Sequence, residues 1–183
     1  MKVFGSSGVR GVVGEAITPE FVGRVAQAAG STLSADTVAV ARDTRHTGEM
    51  LADAVAAGLA ATGSDVQRLG VVPTPGAQAY AERAAVPSVV VTASHNPPEY
   101  NGVKLVGADG VELSRDTLER VEDRLLAERF DTADWDATGK QRRVESARRE
   151  YVTELLAAVD RDAIAAADLT VALDPGHGVG ALT

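Results

Sequence analysis

The sequence predicts an α/β fold: a three-layer αβα arrangement in which helices cover both faces of a mixed, mostly parallel sheet, followed by the start of a second α/β domain. Three observations carry this. Strand-like and helix-like segments alternate three times within about the first ninety residues, which implies right-handed crossovers between parallel strands. The strand segments are short, unbroken runs rich in valine and alanine, as expected of strands buried on both faces. Near the end, a further apolar run at 169–173 leads into a glycine loop at 174–180, the opening of another α/β unit.

Each element has a local cause. Residues 2–14 are glycine-rich and end in Val12-Val13, which reads as a strand broken by a loop at 4–11. Thr18-Pro19-Glu20 opens a helix: threonine caps, proline suits the first turn, and glutamate favours the positive end of the dipole. Val22, Val25, Ala26 and Ala29 recur at helical spacing on its core face, and Gly30 is expected to end it. Residues 37–41 read as a buried strand closed by the charged loop Arg42-Asp43-Thr44-Arg45. A second helix follows through Leu51, Val55 and Leu59 and stops near Gly63. A third strand spans 66–72, with a turn expected at Pro73-Thr74-Pro75-Gly76 and a short helix from about Gly76 to Ala84.

Val89-Val90-Val91-Thr92 is the strongest β run. The segment from Ala93 to Gly102 holds two prolines and an Asn-Gly pair and is expected to be loop. The connection is short, so the strand from Val103 to Val106 should run antiparallel to its neighbour. Ser114 caps a helix carrying Leu118, Val121 and Leu125. Residues 127–145, which include the single Trp135, are polar and read as a surface connection. A last helix carries Val152, Leu155, Leu156 and Val159, and Leu169–Leu173 reads as a strand.

Composition bounds the function. The chain has 183 residues, 45% hydrophobic and 24% charged, enough for a packed core. No apolar run approaches the ~20 residues that span a bilayer, and the start lacks the apolar stretch of a signal peptide, so a cytoplasmic protein is expected. The absence of cysteine excludes disulfides, thiolate metal sites and cysteine nucleophiles. A formal net charge of -8 argues against nucleic acid or an anionic membrane as partner, but leaves room for a small anion in a local basic pocket.

In open α/β sheets ligands bind beyond the carboxyl ends of parallel strands. Three loops fall there: 42–45, 73–76 and 93–102. The last sets Ser94 and His95 directly after a buried strand, and the following hairpin can return the ammonium of Lys104 towards the serine. Two readings fit these residue types. In one, the serine hydroxyl receives or donates a group while the lysine or histidine handles the proton. In the other, the hydroxyl caps a turn, the histidine bonds backbone and the lysine is solvated. A hydrolase-type Ser-His pair is disfavoured, since adjacent residues leaving a strand point apart and no G-x-S-x-G elbow is present. Ser6, Ser7 and Arg10 lie among glycines in the first loop; they suit a phosphate, or else form a glycine turn with an exposed arginine. Asp131, Asp134 and Asp136 do not have calcium-loop spacing and read as solvated carboxylates. Gly176, Gly178 and Gly180 do not match the G-x-G-x-x-G dinucleotide fingerprint.

Three stretches together resemble the α-D-phosphohexomutase family of phosphoglucomutases, phosphomannomutases and phosphoglucosamine mutases. Residues 4–11 (Phe4-Gly5-Ser6-Ser7-Gly8-Val9-Arg10-Gly11) resemble its opening signature, Thr92-Ala93-Ser94-His95-Asn96-Pro97 its active-serine loop, and Tyr100-Asn101-Gly102-Val103-Lys104 the lysine-bearing strand. The Arg42–Arg45 loop also fits. The resemblance implies an isomerase acting as an intramolecular phosphotransferase. In it Ser94 carries the phosphoryl group, moving it between O1 and O6 of a hexose phosphate through a hexose 1,6-bisphosphate that serves as intermediate and activator. It further implies Lys104 as general acid–base, His95 as an orienting residue, Ser7 and Arg10 as phosphate binders, and Mg²⁺ held partly through the phosphate on Ser94.

The family's Asp-x-Asp-x-Asp-Arg metal loop, its sugar-recognition loop and its last-domain phosphate clamp do not occur in these residues, and Ser6 stands where threonine is commoner. The expected organisation is therefore residues 1–150 as the family's first domain and 151–183 as linker helix and truncated start of the second. The remaining mutase domains and metal ligands would follow, and this piece would be inactive alone. The alternative is a non-catalytic phosphosugar-binding module that retains the serine loop.

Overall fold

A computed structural model describes Phe4, Gly5 and residues 8–183; Ser6 and Ser7 lie outside the described residues. Six strands form one sheet: β1 (Val9–Val12), β2 (Thr37–Arg42), β3 (Asp65–Val71), β4 (Ser88–Val91), β5 (Tyr100–Val106) and β6 (Gln141–Arg143). Their spatial order is β1-β5-β4-β2-β3-β6. The strands β4, β2, β3 and β6 pair in parallel, and β5 runs antiparallel to both β4 and β1. The expected mixed, mostly parallel sheet is thus observed, and the strand after the serine loop is antiparallel as its short connection requires.

Side-chain parity divides the sheet into two cores. Val38, Val40, Val89, Val91, Val103 and Leu105 face helices α1 (Pro19–Leu33), α2 (Gly48–Ala61) and α4 (Arg115–Leu126), meeting Val22, Val25, Leu51, Val55, Leu59 and Val121. Ala39, Ala41, Leu69, Val90 and Val106 face α3 (Thr74–Ala84) and α5 (Ala147–Ala157), meeting Ala77, Tyr80, Ala81 and Ala147. The β-branched run at 89–91 therefore feeds both layers, and full burial of such a side chain contributes roughly 1.5–3 kcal/mol. The Thr18 hydroxyl accepts from the Phe21 N–H 3.1 Å away, and Ser114 caps α4 in the same way through Thr117 N–H. On the far face Arg83 of α3 pairs with Glu150 at 2.7 Å and with Glu154, tying α3 to α5.

Several expectations are corrected. The strand β1 begins inside the stretch read as loop, because Val9 and Arg10 find partners in Val103 and Gly102. Tyr100 to Gly102, also read as loop, belong to β5 for the same reason. Gly30 does not end α1, which runs on to Leu33; it is where α1 meets Thr62, whose Oγ1 would lie 2.2 Å from an added Cβ. Pro73 is the N-cap of α3 and Pro75 stands in its first turn, so the expected turn is a helix start. The connection at 127–145 hides β6, which binds the sheet edge through Val66 N–H to Lys140 C=O at 2.7 Å and Val144 N–H to Arg68 C=O at 2.9 Å. Trp135 in that connection is exposed.

Leu169–Leu173 is not a strand: it has no ladder partner among the described residues, and Leu169, Val171 and Leu173 are 69%, 77% and 81% exposed. It is flanked by helix α6 (Arg161–Ala166) upstream and a 3-10 turn (Val179–Leu182) downstream. Among the described residues no helix is long and apolar enough to cross a membrane.

Candidate active site

The chain leaves β2 through α2 on one face of the sheet to reach β3, and leaves β3 through α3 on the other face to reach β4. The order reverses between β2 and β4, the kind of switch point at which open α/β sheets place ligands, and the carboxyl-end loops of the two strands meet there. The two loops that flank it are 42–47 and 92–99, which hold the Arg-Asp-Thr-Arg and Ser-His motifs.

Ser94 sits at this switch point, solvent-exposed, with φ of +51°. A left-handed conformation costs a Cβ-bearing residue on the order of 1 kcal/mol, so its surroundings must hold it there. Its N–H donates to Thr92 Oγ1 at 3.1 Å, and the Thr92 hydroxyl donates to Asp43 Oδ2 at 2.7 Å. The other oxygen of Asp43 accepts from Arg45 N–H at 2.9 Å, and Arg45 Nε lies 3.3 Å from Asp43 Oδ2.

The Arg45 guanidinium then reaches from its own loop to four main-chain carbonyls of residues 94–100. Nη2 donates to Ser94 O at 2.8 Å and Asn96 O at 2.6 Å; Nη1 donates to Pro97 O at 2.6 Å and Tyr100 O at 2.9 Å. Buried Asn101 closes the far end of the loop, donating from Nδ2 to Thr47 Oγ1 at 3.0 Å and accepting from Gly102 N–H at 2.9 Å.

Cations approach from the other flank. Gly102 faces Arg10 across the β5–β1 ladder, and Lys104 is two residues on, so Arg10 and Lys104 share one face of the sheet. Glycine is required at 102, since a Cβ would lie 2.2 Å from Val9 O. Arg10 spends one donor on Asn96 Oδ1 at 3.4 Å, and its buried Nε has no hydrogen-bond partner among the described residues. A planar cation with donors to spare suits a bidentate oxyanion.

The structure separates other residues that the sequence grouped. The Lys104 side chain is 15% exposed and its ammonium meets Glu112 at 2.7 Å; no hydrogen bond among the described residues joins it to Ser94. His95 is exposed beside Ser94. Among the described residues no group of three or more His, Cys, Asp or Glu side chains is placed to hold a metal ion, so the donors present fall short of a metal cage. Asp131 pairs instead with Arg124 at 2.9 Å, and the His177 carbonyl accepts from Thr44 Oγ1 at 2.7 Å. The sequence reading did not find the roles of Asp43, Arg45, Thr92 and Asn101. Their partners lie about fifty residues away, and only the charged Arg42–Arg45 loop marked the place.

Fold and site define an αβα sheet domain that presents a serine at the switch point between two strand-end loops, with an arginine bonded to the serine's loop at Asn96. Residues 1–132 match the model for phosphoglucomutase/phosphomannomutase, alpha/beta/alpha domain I. The chain belongs to the phosphoglucomutase/phosphomannomutase family. It is 41% identical over 188 residues to a phosphoglucomutase/phosphomannomutase of Thermococcus kodakarensis, covering 100% of this chain and 41% of that protein. It is 38% identical to a phosphoglucosamine/phosphogalactosamine mutase of Sulfurisphaera tokodaii, again covering 100% of this chain and 41% of the other. Among solved structures, a phosphoglucomutase/phosphomannomutase family protein of Burkholderia thailandensis superposes with a TM-score of 0.75 at 31% identity, covering 86% of this chain and 36% of that one. The chain thus spans about two fifths of the length of the curated relatives it matches.

Proposed function

We propose that this chain is the phosphoryl-carrying portion of a phosphohexomutase, organised as a first domain over residues 1–150 and the start of a second over 151–183. The observation that supports this most is the presentation of Ser94, exposed and left-handed after β4, inside a family-matched segment whose loop Arg10 reaches at Asn96.

In this reading a phosphoserine at Ser94 faces a hexose phosphate. The substrate hydroxyl oxygen forms the new bond to phosphorus, the P–Oγ bond of Ser94 breaks, and the hydroxyl proton passes to a base. Lys104 takes that proton as the neutral amine, so it must first give up Glu112 and release its own ammonium proton to solvent. The product is a hexose 1,6-bisphosphate; after it turns round, its other phosphate returns to Ser94 and the proton goes back to the leaving oxygen. A phosphoserine carries about −1.5 to −2 charges near pH 7, which must be offset before a second phosphate can approach. Arg10 and Ser7 bind the phosphate and His95 orients the serine loop. Mg²⁺, when bound, supplies electrostatic stabilisation of the transferring group. Apart from the phosphate on Ser94, its ligands would lie outside this chain.

The test is incubation of the complete polypeptide encoded by the gene with Mg²⁺ and ³²P-labelled hexose 1,6-bisphosphate. Label is expected on Ser94, and Ser94→Ala should lose both label and turnover. Normal turnover in Ser94→Ala refutes the assignment. Binding of hexose phosphate with no label at Ser94 would identify a phosphosugar-binding module instead.

A further inference from the structure

We infer that Arg45 is a positioning residue for phosphoryl transfer: its guanidinium fastens the main chain of the serine loop and so sets where the Ser94 oxygen stands. The inference rests on the reading of Ser94 as phosphoryl carrier.

The geometry is specific. Four carbonyls, those of Ser94, Asn96, Pro97 and Tyr100, converge on the two terminal nitrogens of one side chain at 2.6–2.9 Å. Within the loop, two backbone hydrogen bonds assist: Asn96 N–H to Ala93 O and Tyr100 N–H to Pro97 O, both 3.1 Å. Two prolines in the segment cannot donate at all. Without Arg45 the carbonyls of Ser94, Asn96 and Pro97 have no protein partner among the described residues, except where Pro97 meets Tyr100.

The cation is itself aimed. The carboxylate of Asp43 accepts from the Arg45 main-chain N–H and forms an ion pair with the guanidinium, 3.3 Å from Nε without a hydrogen bond there, and both side chains are largely buried at 17% and 12% exposure. The same carboxylate accepts from Thr92, whose oxygen receives the Ser94 N–H. Asp43 and Arg45 therefore grip Ser94 from its amide and its carbonyl at once, which fixes a left-handed residue on both sides. Arg45 spends its terminal N–H groups on carbonyls, unlike Arg10, so it is not a phosphate ligand in this arrangement. A lysine cannot reproduce the contact, because one ammonium does not span four acceptors spread along a planar fork.

The test uses the complete polypeptide and compares Arg45→Ala and Arg45→Lys with the parent. Four quantities are read: the rate of ³²P transfer from hexose 1,6-bisphosphate to Ser94, kcat and KM for hexose phosphate, and hydrogen exchange of the amides at 94–100. Displacing a reacting atom by about 1 Å can cost about 100-fold. Both variants are expected to lose transfer rate and kcat on that order with KM little changed, and their loop amides should exchange faster. Guanidinium ion at sub-denaturing concentration should partly restore Arg45→Ala. If Arg45→Ala does not fold, Arg45→Lys decides alone. Undiminished transfer, or a loss confined to KM, overturns the inference while leaving the reading of Ser94 intact. A parent enzyme that takes no label at Ser94 overturns that reading, and the inference with it.

Discussion

Thr92→Val isolates one link of the network around the serine. Valine keeps the shape of threonine, so the packing of this buried residue, 7% exposed, is retained while two hydrogen bonds are lost. One is the 2.7 Å donation to the Asp43 carboxylate, the other the acceptance of the Ser94 N–H at 3.1 Å. A hydrogen bond to a charged group is worth about 1.5–3 kcal/mol. Ser94 is an exposed residue, so water can replace the lost bond to its part-buried amide at little cost, and the expected total is about 2 kcal/mol. In a chain of this size that corresponds to a midpoint lowered by about 4–8 °C. The assay is urea and thermal unfolding followed by far-UV circular dichroism, because the single Trp135 is already 89% exposed and reports little on burial. Thr92→Ser, which keeps the hydroxyl and removes one methyl, should lose no more than about 1 kcal/mol. If Thr92→Val and the parent unfold within about 0.5 kcal/mol at equal m, the hydroxyl does not hold the loop and the account of Ser94's conformation is wrong.

Two further outcomes test the scaffold. Gly30→Ala gains helix propensity of about 1 kcal/mol but drives a Cβ to 2.2 Å from Thr62 Oγ1, so a net loss of about 1–2 kcal/mol is expected. The double variant with Thr62→Ala should lose less than the sum of the singles in the same denaturation assay. Thr18→Ala removes the acceptor for the Phe21 N–H and should cost about 1 kcal/mol, read as a lowered urea midpoint; an unchanged midpoint would mean the cap contributes nothing.

The parts of the fold legible in the sequence were those with a local cause. Thr18-Pro19 and Ser114 announced helices because capping is settled within four residues, and Val89-Val90-Val91 announced a central strand because both its faces are buried. The strand β6 left no trace, since Gln141–Arg143 is exposed on both faces and owes its conformation to β3. Leu169–Leu173 shows the reverse: its composition favours a strand, but a strand exists only against a neighbour, and here none is paired with it. Pro73-Thr74-Pro75-Gly76 was ambiguous because the residues that make turns also open helices.

At the site, Ser94, His95 and Arg10 were visible as motif residues. Lys104 was visible too, but its pairing with Glu112 depended on how the turn after β5 folds back. Arg45 was seen only as part of a charged loop. Its four contacts lie about fifty residues distant and go to carbonyls, which carry no sequence signature.

That last property reaches beyond the present chemistry. A support that seizes only peptide oxygens is indifferent to whatever projects from the loop above it. The side chains at 94 and 95 can therefore be exchanged against an unaltered chassis, which makes this end of the sheet a ready socket for installing other nucleophiles by design.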